Sequence, residues 1–224
     1  QARVLPVLER DLASELRSLG RRVEELQAGI LEVRMVPLGQ IFDKLSRVVR
    51  KISRDAGKEI RLLISGGETE LDKLLVEELS DPLMHVIRNG IDHGVEHPEV
   101  RRQMGKPEQG TLTIKAEQRG NHVVITVHDD GAGIDRRRLI ERAAERGILD
   151  AMQATELSDR EILNLVFAPG LSTKEIPDEV SGGGVGMDVV KTNIARLSGM
   201  IDLHSQQGVG TTITITLPIT LAIL

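Results

Sequence analysis

At 224 residues, with 29 basic against 34 acidic side chains and a net charge of -5, the chain has room for one good-sized domain plus an appendage and carries no global basic field for nucleic acid or anionic membrane. Two Phe and no Trp or Tyr leave almost nothing on which bases could stack, and the lack of Cys excludes disulfides and thiolate chemistry. No apolar run reaches about 18 residues and Gln1 opens no signal-like segment, so the sequence reads as a soluble, cytoplasmic protein or a soluble piece of a longer one, without membrane insertion.

Leu5, Leu8, Leu12, Leu16, Leu19, Val23, Leu26, Ile30 and Val33 recur at steps of three and four, which predicts a long amphipathic helix with a coiled-coil-like seam over residues 1–36. Pro37 interrupts it. A second helix follows through Ile41, Leu45, Val48, Val49 and Ile52, closed by Gly57. "KEIRLLIS" reads as a strand, turned by Gly66 and Gly67. From Leu71 to about Gly94 the spacing is helical again, bringing His85, Asn89 and His93 onto one face, with Arg88 and Asp92 beside them.

"GTLTIKAEQRGNHVVITVHDDG" alternates on both sides of Arg119-Gly120-Asn121, a hairpin that ends on Asp129, Asp130 and Gly131. A helix is expected from Asp135, and another behind Ser158 and Glu161, whose spacing matches a capping box. Residues 168–186, rich in glycine and proline, are too irregular for an element and long enough to act as a lid. A helix to about Leu197 and two paired strands, "MIDLHS" and "TTITITLP", complete the chain. The expected fold class is α+β: a two-layer sandwich over 37–224, one mixed sheet with helices on one face, preceded by the long N-terminal helix.

"SGGGVGMDVV", residues 181–190, places four glycines at the mouth of a helix, where free amides and a dipole suit a phosphate; a flexible surface loop has the same composition. The common phosphate loops do not fit. Gly105-Lys106 is followed by Pro107 rather than completing a P-loop, and the Rossmann spacing fails at Met187.

Three segments remain: "HVIRNGIDHG" at 85–94, "DDGAGID" at 129–135 and the 181–190 loop. In this order they resemble the Bergerat-type ATP-binding fold of sensor histidine kinases, type II topoisomerases, mismatch-repair ATPases and heat-shock chaperones. The wording "HVIRNGIDHGVE", "FAPGLSTKE", "SGGGVGMDVVK" and "GTTITITLPITLAIL" narrows the resemblance, from about Glu32 to Leu224, to the kinase core of the CheA-type chemotaxis histidine kinases.

That resemblance implies ATP and Mg2+ as ligands. It makes Asp129 the adenine-reading carboxylate, with Thr211 completing the polar edge and Gly131 and Gly133 letting backbone pass close to the base. Guanine would oppose its oxygen to the carboxylate, so ATP is expected to be preferred. Asn89 becomes the magnesium ligand, a neutral oxygen for a hard cation, and His85 a residue assisting phosphoryl transfer. Arg88, Asp92 and His93 are counted with the nucleotide-binding residues, although Arg88 reads equally as a solvated helix charge and His93 as an ordinary hydrogen-bonded histidine. Ser172, Thr173 and Lys174 are expected to close over the phosphates, Arg138 and Arg142 to approach from the helix after "DDGAGID", and Gly182, Gly184, Val185, Gly186 and Met187 to line the phosphate groove.

The implied activity is transfer of the ATP γ-phosphate to a histidine on a separate phosphoacceptor domain, then to a response regulator, with an adaptor and chemoreceptor array engaged through a further C-terminal domain. Neither the phosphoacceptor domain nor the adaptor-coupling domain is recognisable in this sequence, and residues 1–36 represent only part of a dimerisation hairpin. Two alternatives stay open: a conformational ATPase module of the same fold, which would need a glutamate base where His85 stands, and a nucleotide-binding pseudokinase. Gly183 and Leu171 stand where these kinases carry Arg and Phe, pointing to a looser lid, and Gly90 stands mid-helix at a cost of roughly 1 kcal/mol relative to Ala.

Overall fold

The structure, a computed structural model, describes residues 15–23, 34–150, 156–171 and 186–220. After a helical segment at 15–23, a short strand β1 (Met35–Pro37) leads into α1 (Gly39–Asp55), β2 (Ile60–Ser65) and β3 (Glu70–Asp72). Helix α2 (Lys73–Asn89) continues into a π-helical turn, Gly90–Gly94, and then come α3 (Pro98–Gln103), β4 (Gly110–Arg119) and β5 (His122–Asp129). Helices α4 (Arg136–Glu145), α5 (Asp159–Asn164) and α6 (Met187–Arg196) precede the closing hairpin of β6 (Met200–Gln206) and β7 (Gly210–Pro218).

Five strands form one mixed sheet in the order β2-β4-β5-β7-β6, with β2 parallel to β4 and the other neighbours antiparallel. Alternation decides its two faces. Val123, Ile125 and Val127 of β5 and Ile213, Ile215 and Leu217 of β7 point inward and are buried, while Thr126, Thr212, Thr214 and Thr216 stand on the other, half-exposed face. Among the described residues the helices cover the inward face, as expected for a largely antiparallel sheet with one wetted side. Helix α2 packs against α1 and α6, and its Leu75, Leu79, Leu83 and Ile87 are fully buried at steps of four.

The local signals are those in the sequence. Gly57 takes φ 63° after α1. Asp72 caps α2 by accepting the Leu74 amide at 2.9 Å, Asp135 caps α4, and Ser158 and Glu161 form the expected capping box of α5.

Two features differ from expectation. A second, two-stranded sheet pairs Met35–Pro37 with Glu70–Asp72, and the Arg34 guanidinium reaches the buried Asp72 carboxylate at 3.0 Å. Three-residue strands carry too little alternation to be seen as a pattern. The helix expected to run to Gly94 instead leaves the α geometry at Gly90, and the Val95 amide closes back on the Gly90 carbonyl at 2.8 Å. Gly90 therefore starts the wider turn rather than interrupting an α-helix, and a Cβ there would lie 3.6 Å from Asp129 Oδ2 and from a Leu112 methyl.

Candidate nucleotide-binding site

Strand β5 lies at the centre of the sheet and ends on Asp129. By parity this is the last inward position after Val123, Ile125 and Val127, so a carboxylate occupies the place where the core would otherwise continue. Asp129 pairs with Leu112 on one side and Thr211 on the other, and it is only 6% exposed. The π turn lies against it so closely that a Cβ on Gly94 would come within 3.0 Å of its Oδ1.

Burial drives the Asp129 carboxyl up to about 6, partly offset by the Gly131 amide donated to Oδ1 at 3.0 Å, by His128 and by the Thr211 backbone, while Asp130 adds to the rise. A carboxylate poised this way accepts a hydrogen bond strongly, since every added donor relieves its desolvation.

Asp129 stands in a cleft of about 960 Å³ between α2 with its π turn, α4, the start of α6, and the ends of β5 and β7. His85, Arg88 and Asn89 of α2, Asp92 and His93 of the π turn, and Gly133, Arg142, Met187 and Thr211 also line it. The i to i+4 step of the helix places His85 and Asn89 one above the other, and the π turn carries Asp92 and His93 past them.

Gly186 stands at the N-cap of α6, immediately before Met187, which is buried. The positively disposed end of a ten-residue helix therefore opens at the cleft. Leu171 is buried and also lines the cleft.

Other expected residues fall elsewhere. Arg138 is 81% exposed and sits near Asp135, 3.9 Å away, outside the cleft lining; it belongs with Arg137 to the wetted face of α4. Arg136, at the start of the same helix, reaches Asp159 at 3.1 Å and the Ser205 carbonyl at 3.5 Å.

Gly131 and Gly133 have an intramolecular reason to be glycine. A Cβ on Gly131 would sit 2.1 Å from the Gly94 carbonyl oxygen, and Gly133, at φ 68°, would place one 2.2 Å from the Gln206 oxygen. Ser172, Thr173, Lys174, Gly182, Gly184 and Val185 lie outside the described residues.

Three supports escaped sequence reasoning. Ser205, 1% exposed, hydrogen-bonds Thr211 Oγ1 at 3.0 Å and receives the Ile134 amide at 2.8 Å, tying the cleft's β7 edge to the segment after Asp129. Lys58, also buried, donates to the Ile91 and Asp92 carbonyls at 2.6 and 2.8 Å and braces the π turn; burial lowers its pKa, opposed by Asp92 and Glu96. A cluster of Glu96, Arg101, Lys106 and Asp130 packs behind the turn after β5. A single serine or lysine has no local pattern. The only available signal was an apolar-strand serine at Ser205 and a lysine directly after the αL glycine Gly57.

The donor set fits an adenine nucleotide with a magnesium ion: a buried acceptor carboxylate, the Thr211 hydroxyl, the Asn89 amide oxygen, the Arg88 and Arg142 cations and a helix start, all on one cleft of suitable size.

The family profile described as histidine kinase-, DNA gyrase B-, and HSP90-like ATPase matches residues 78–221. The chain is 49% identical over 214 residues to the sensor histidine kinase CheAY of Helicobacter pylori, covering 96% of this chain and 27% of that protein. It is 52% identical over 211 residues to the chemotaxis protein CheA of Treponema pallidum, covering 94% and 26%. It therefore spans about a quarter of the length of these relatives.

Among solved structures, the catalytic domain of histidine kinase ThkA superposes with a TM-score of 0.53 at 14% identity, covering 83% of this chain and 95% of that one. The mycobacterial sensor histidine kinase MprB does so at 0.50 and 18%, covering 82% and 97%. At those identities the likeness is one of fold. Fold, cleft and profile agree: the chain belongs to the histidine kinase-, DNA gyrase B-, and HSP90-like ATPase family, and within it is of the CheA type.

Proposed function

We propose that this chain is the ATP-binding catalytic core of a CheA-like protein-histidine kinase, acting with magnesium, with residues 37–224 as the catalytic domain and 1–36 as part of a dimerisation hairpin. The observation that carries the reading is the coincidence, in one cleft, of the buried Asp129 carboxylate with His85 and Asn89 on the facing helix. Asp129 accepts from the adenine amino group, and Thr211 extends that polar edge. The Asn89 oxygen is a magnesium ligand, and Arg88, Arg142 and the amides at the start of α6 hold the phosphates.

The chemistry needs little covalent participation by the protein. An imidazole nitrogen of the phosphoacceptor histidine bonds to the γ-phosphorus as the bond to the departing ADP oxygen breaks, and positioning with charge neutralisation supplies the rate. His85 lies one turn before Asn89, where it can orient the incoming imidazole or hold its proton. The partners are then a phosphoacceptor histidine domain, a response regulator and, by analogy with the chemotaxis proteins, an adaptor and receptor array. A cytoplasmic location belongs to the same reading; among the described residues no helix is long and apolar enough to cross a membrane.

A conformational ATPase of the same fold is the less favoured reading, because residue 85 is a histidine and not a glutamate base. Incubation with γ-labelled ATP and a separately produced CheA-type phosphoacceptor domain tests the proposal. Acid-labile, alkali-stable label on the acceptor is expected. Phosphate released to water with no labelled acceptor would favour the ATPase instead.

A further inference from the structure

The sequence Gly105-Lys106-Pro107 looks at first like the stump of a phosphate loop, yet Lys106 does not line the cleft. Its ammonium donates to backbone, to the Asp130 carbonyl at 3.0 Å and the Gly131 carbonyl at 2.7 Å, and to Glu96 Oε1 at 2.8 Å. Arg101, 1% exposed, meets the same Asp130 carbonyl at 3.1 Å and also binds Asp130 Oδ2, Glu96 Oε2 and the Pro107 carbonyl, at 3.1, 3.0 and 2.7 Å. Two cations therefore converge on two consecutive peptide groups just beyond Asp129, with the nearly buried Glu96 balancing them.

What those peptide groups do on their other side makes the arrangement informative. A trans peptide is planar and its carbonyl and amide point in opposite directions, so holding the oxygen aims the N–H. The group whose carbonyl is Asp130 carries the Gly131 amide, which donates to Asp129 Oδ1 at 3.0 Å. The group whose carbonyl is Gly131 carries the Ala132 amide, which donates to the Gly94 carbonyl at 2.8 Å, at the end of the π turn. Fixing the two oxygens from behind thus sets both the carboxylate and the turn packed on it.

We infer that Lys106 and Arg101 are positioning residues for adenine recognition, clamping the 130–132 backbone so that Asp129 is held in its accepting orientation against the π turn. The inference rests on the proposed role of Asp129. It assigns to Lys106 no contact with nucleotide.

The test compares the chain with Lys106→Met and Lys106→Arg, using fluorescent analogues of ATP, ADP, AMP and GTP. Methionine keeps the length of the stem but leaves the Gly131 carbonyl without its donor. Adenine-nucleotide affinity is expected to fall by about tenfold, by the same factor for ATP, ADP and AMP and irrespective of magnesium, and the preference for ATP over GTP is expected to shrink by a similar factor. Arginine, which restores a cation with several donors, is expected to recover most of both.

A purely structural role would weaken ATP and GTP alike and leave their ratio untouched, which overturns the inference. A loss that grows with phosphate count overturns it too, since Lys106 would then be reaching the phosphates. If Lys106→Met does not fold, the ATP-to-GTP ratio of Lys106→Arg against Glu96→Gln, which loosens the clamp without removing a cation, decides in the same way. Absence of any adenine preference in the unaltered chain would defeat the role of Asp129 itself, and is distinguishable because it needs no variant.

Discussion

The Gly131 amide lies 3.0 Å from the Asp129 carboxylate oxygen, and the hydrogen on the Gly131 Cα faces the Gly94 carbonyl, where a Cβ would fit only at 2.1 Å. One glycine thereby joins the acidic end of the central strand to the end of the π turn.

Gly131→Ala is therefore expected to force these two segments apart. The variant should unfold at lower denaturant, by about 2 kcal/mol or more, and bind an ATP analogue weakly. Gly105→Ala is the matched control, a positive-φ glycine with open space around it, and should cost only about 1 kcal/mol from backbone strain. Chemical denaturation of both variants checks the difference; equal midpoints would show that the close approach is not maintained in solution.

The raised pKa of Asp129 has a stability consequence with a definite sign. Its folded value, about 6, exceeds the ordinary 3.8, so the folded chain holds this proton more tightly than the unfolded one. The contribution is fully present below about pH 4 and is lost as pH rises through 6, by about 3 kcal/mol at most. Glu96 pulls the other way: burial raises its pKa, but the Lys106 and Arg101 bonds outweigh this and leave it lowered, so its contribution is lost toward acid. The clean measurement is the difference in unfolding free energy between the chain and Asp129→Asn from pH 4 to 7.5, in which the other groups cancel. Asp129→Asn should gain on the unaltered chain as pH rises, and a flat difference would mean the carboxyl titrates normally.

Asp129→Asn should also lose adenine affinity by about 100-fold while keeping its fold, because an amide of equal size replaces a charged acceptor and can present its NH2 to the adenine NH2. Titration with a fluorescent ATP analogue reads this directly, the chain having no Trp or Tyr of its own.

Asn89→Ala removes an oxygen from the cleft wall without touching Asp129. The magnesium dependence of nucleotide binding should then shrink by about tenfold, with magnesium-free affinity nearly unchanged, since a cation ligand is lost and the adenine contacts remain. Isothermal titration with and without magnesium distinguishes this from a general loss, which would lower both.

The helical segment at 15–23 exposes Leu16, Leu19 and Val23, at 64, 63 and 47%. Residues at steps of three and four form one stripe, and such a stripe gains by pairing with another helix. A concentration-dependent dimer is expected in sedimentation over a hundredfold range, shifted toward monomer by Leu16→Glu with Leu19→Glu. A dimer equally tight in that variant would place the contact elsewhere.

Much of the molecule was legible one residue at a time. The helix starts at Asp72, Asp135 and Ser158 are capped by side chains acting on amides two or three residues away, and the inward parity of β7 follows from strict alternation, whereas in β5 the apolar run Val123-Val124-Ile125 blurs it. Such interactions are local, so the order of residues suffices to state them. The gathering of His85, Asn89, Asp129 and Thr211 into one cleft was legible only through the resemblance of separated motifs, since no periodicity links residue 89 to residue 211. The tertiary structure alone decided how Asp129 is held. Its depth depends on β5 being the middle strand, its support on Lys58, Arg101 and Lys106 reaching carbonyls in other segments, and the packing of Gly94 against Gly131 on two backbones meeting across the fold. Each of these joins segments far apart in sequence through close packing or a buried charge-assisted hydrogen bond, and neither leaves a pattern in the linear order of the chain.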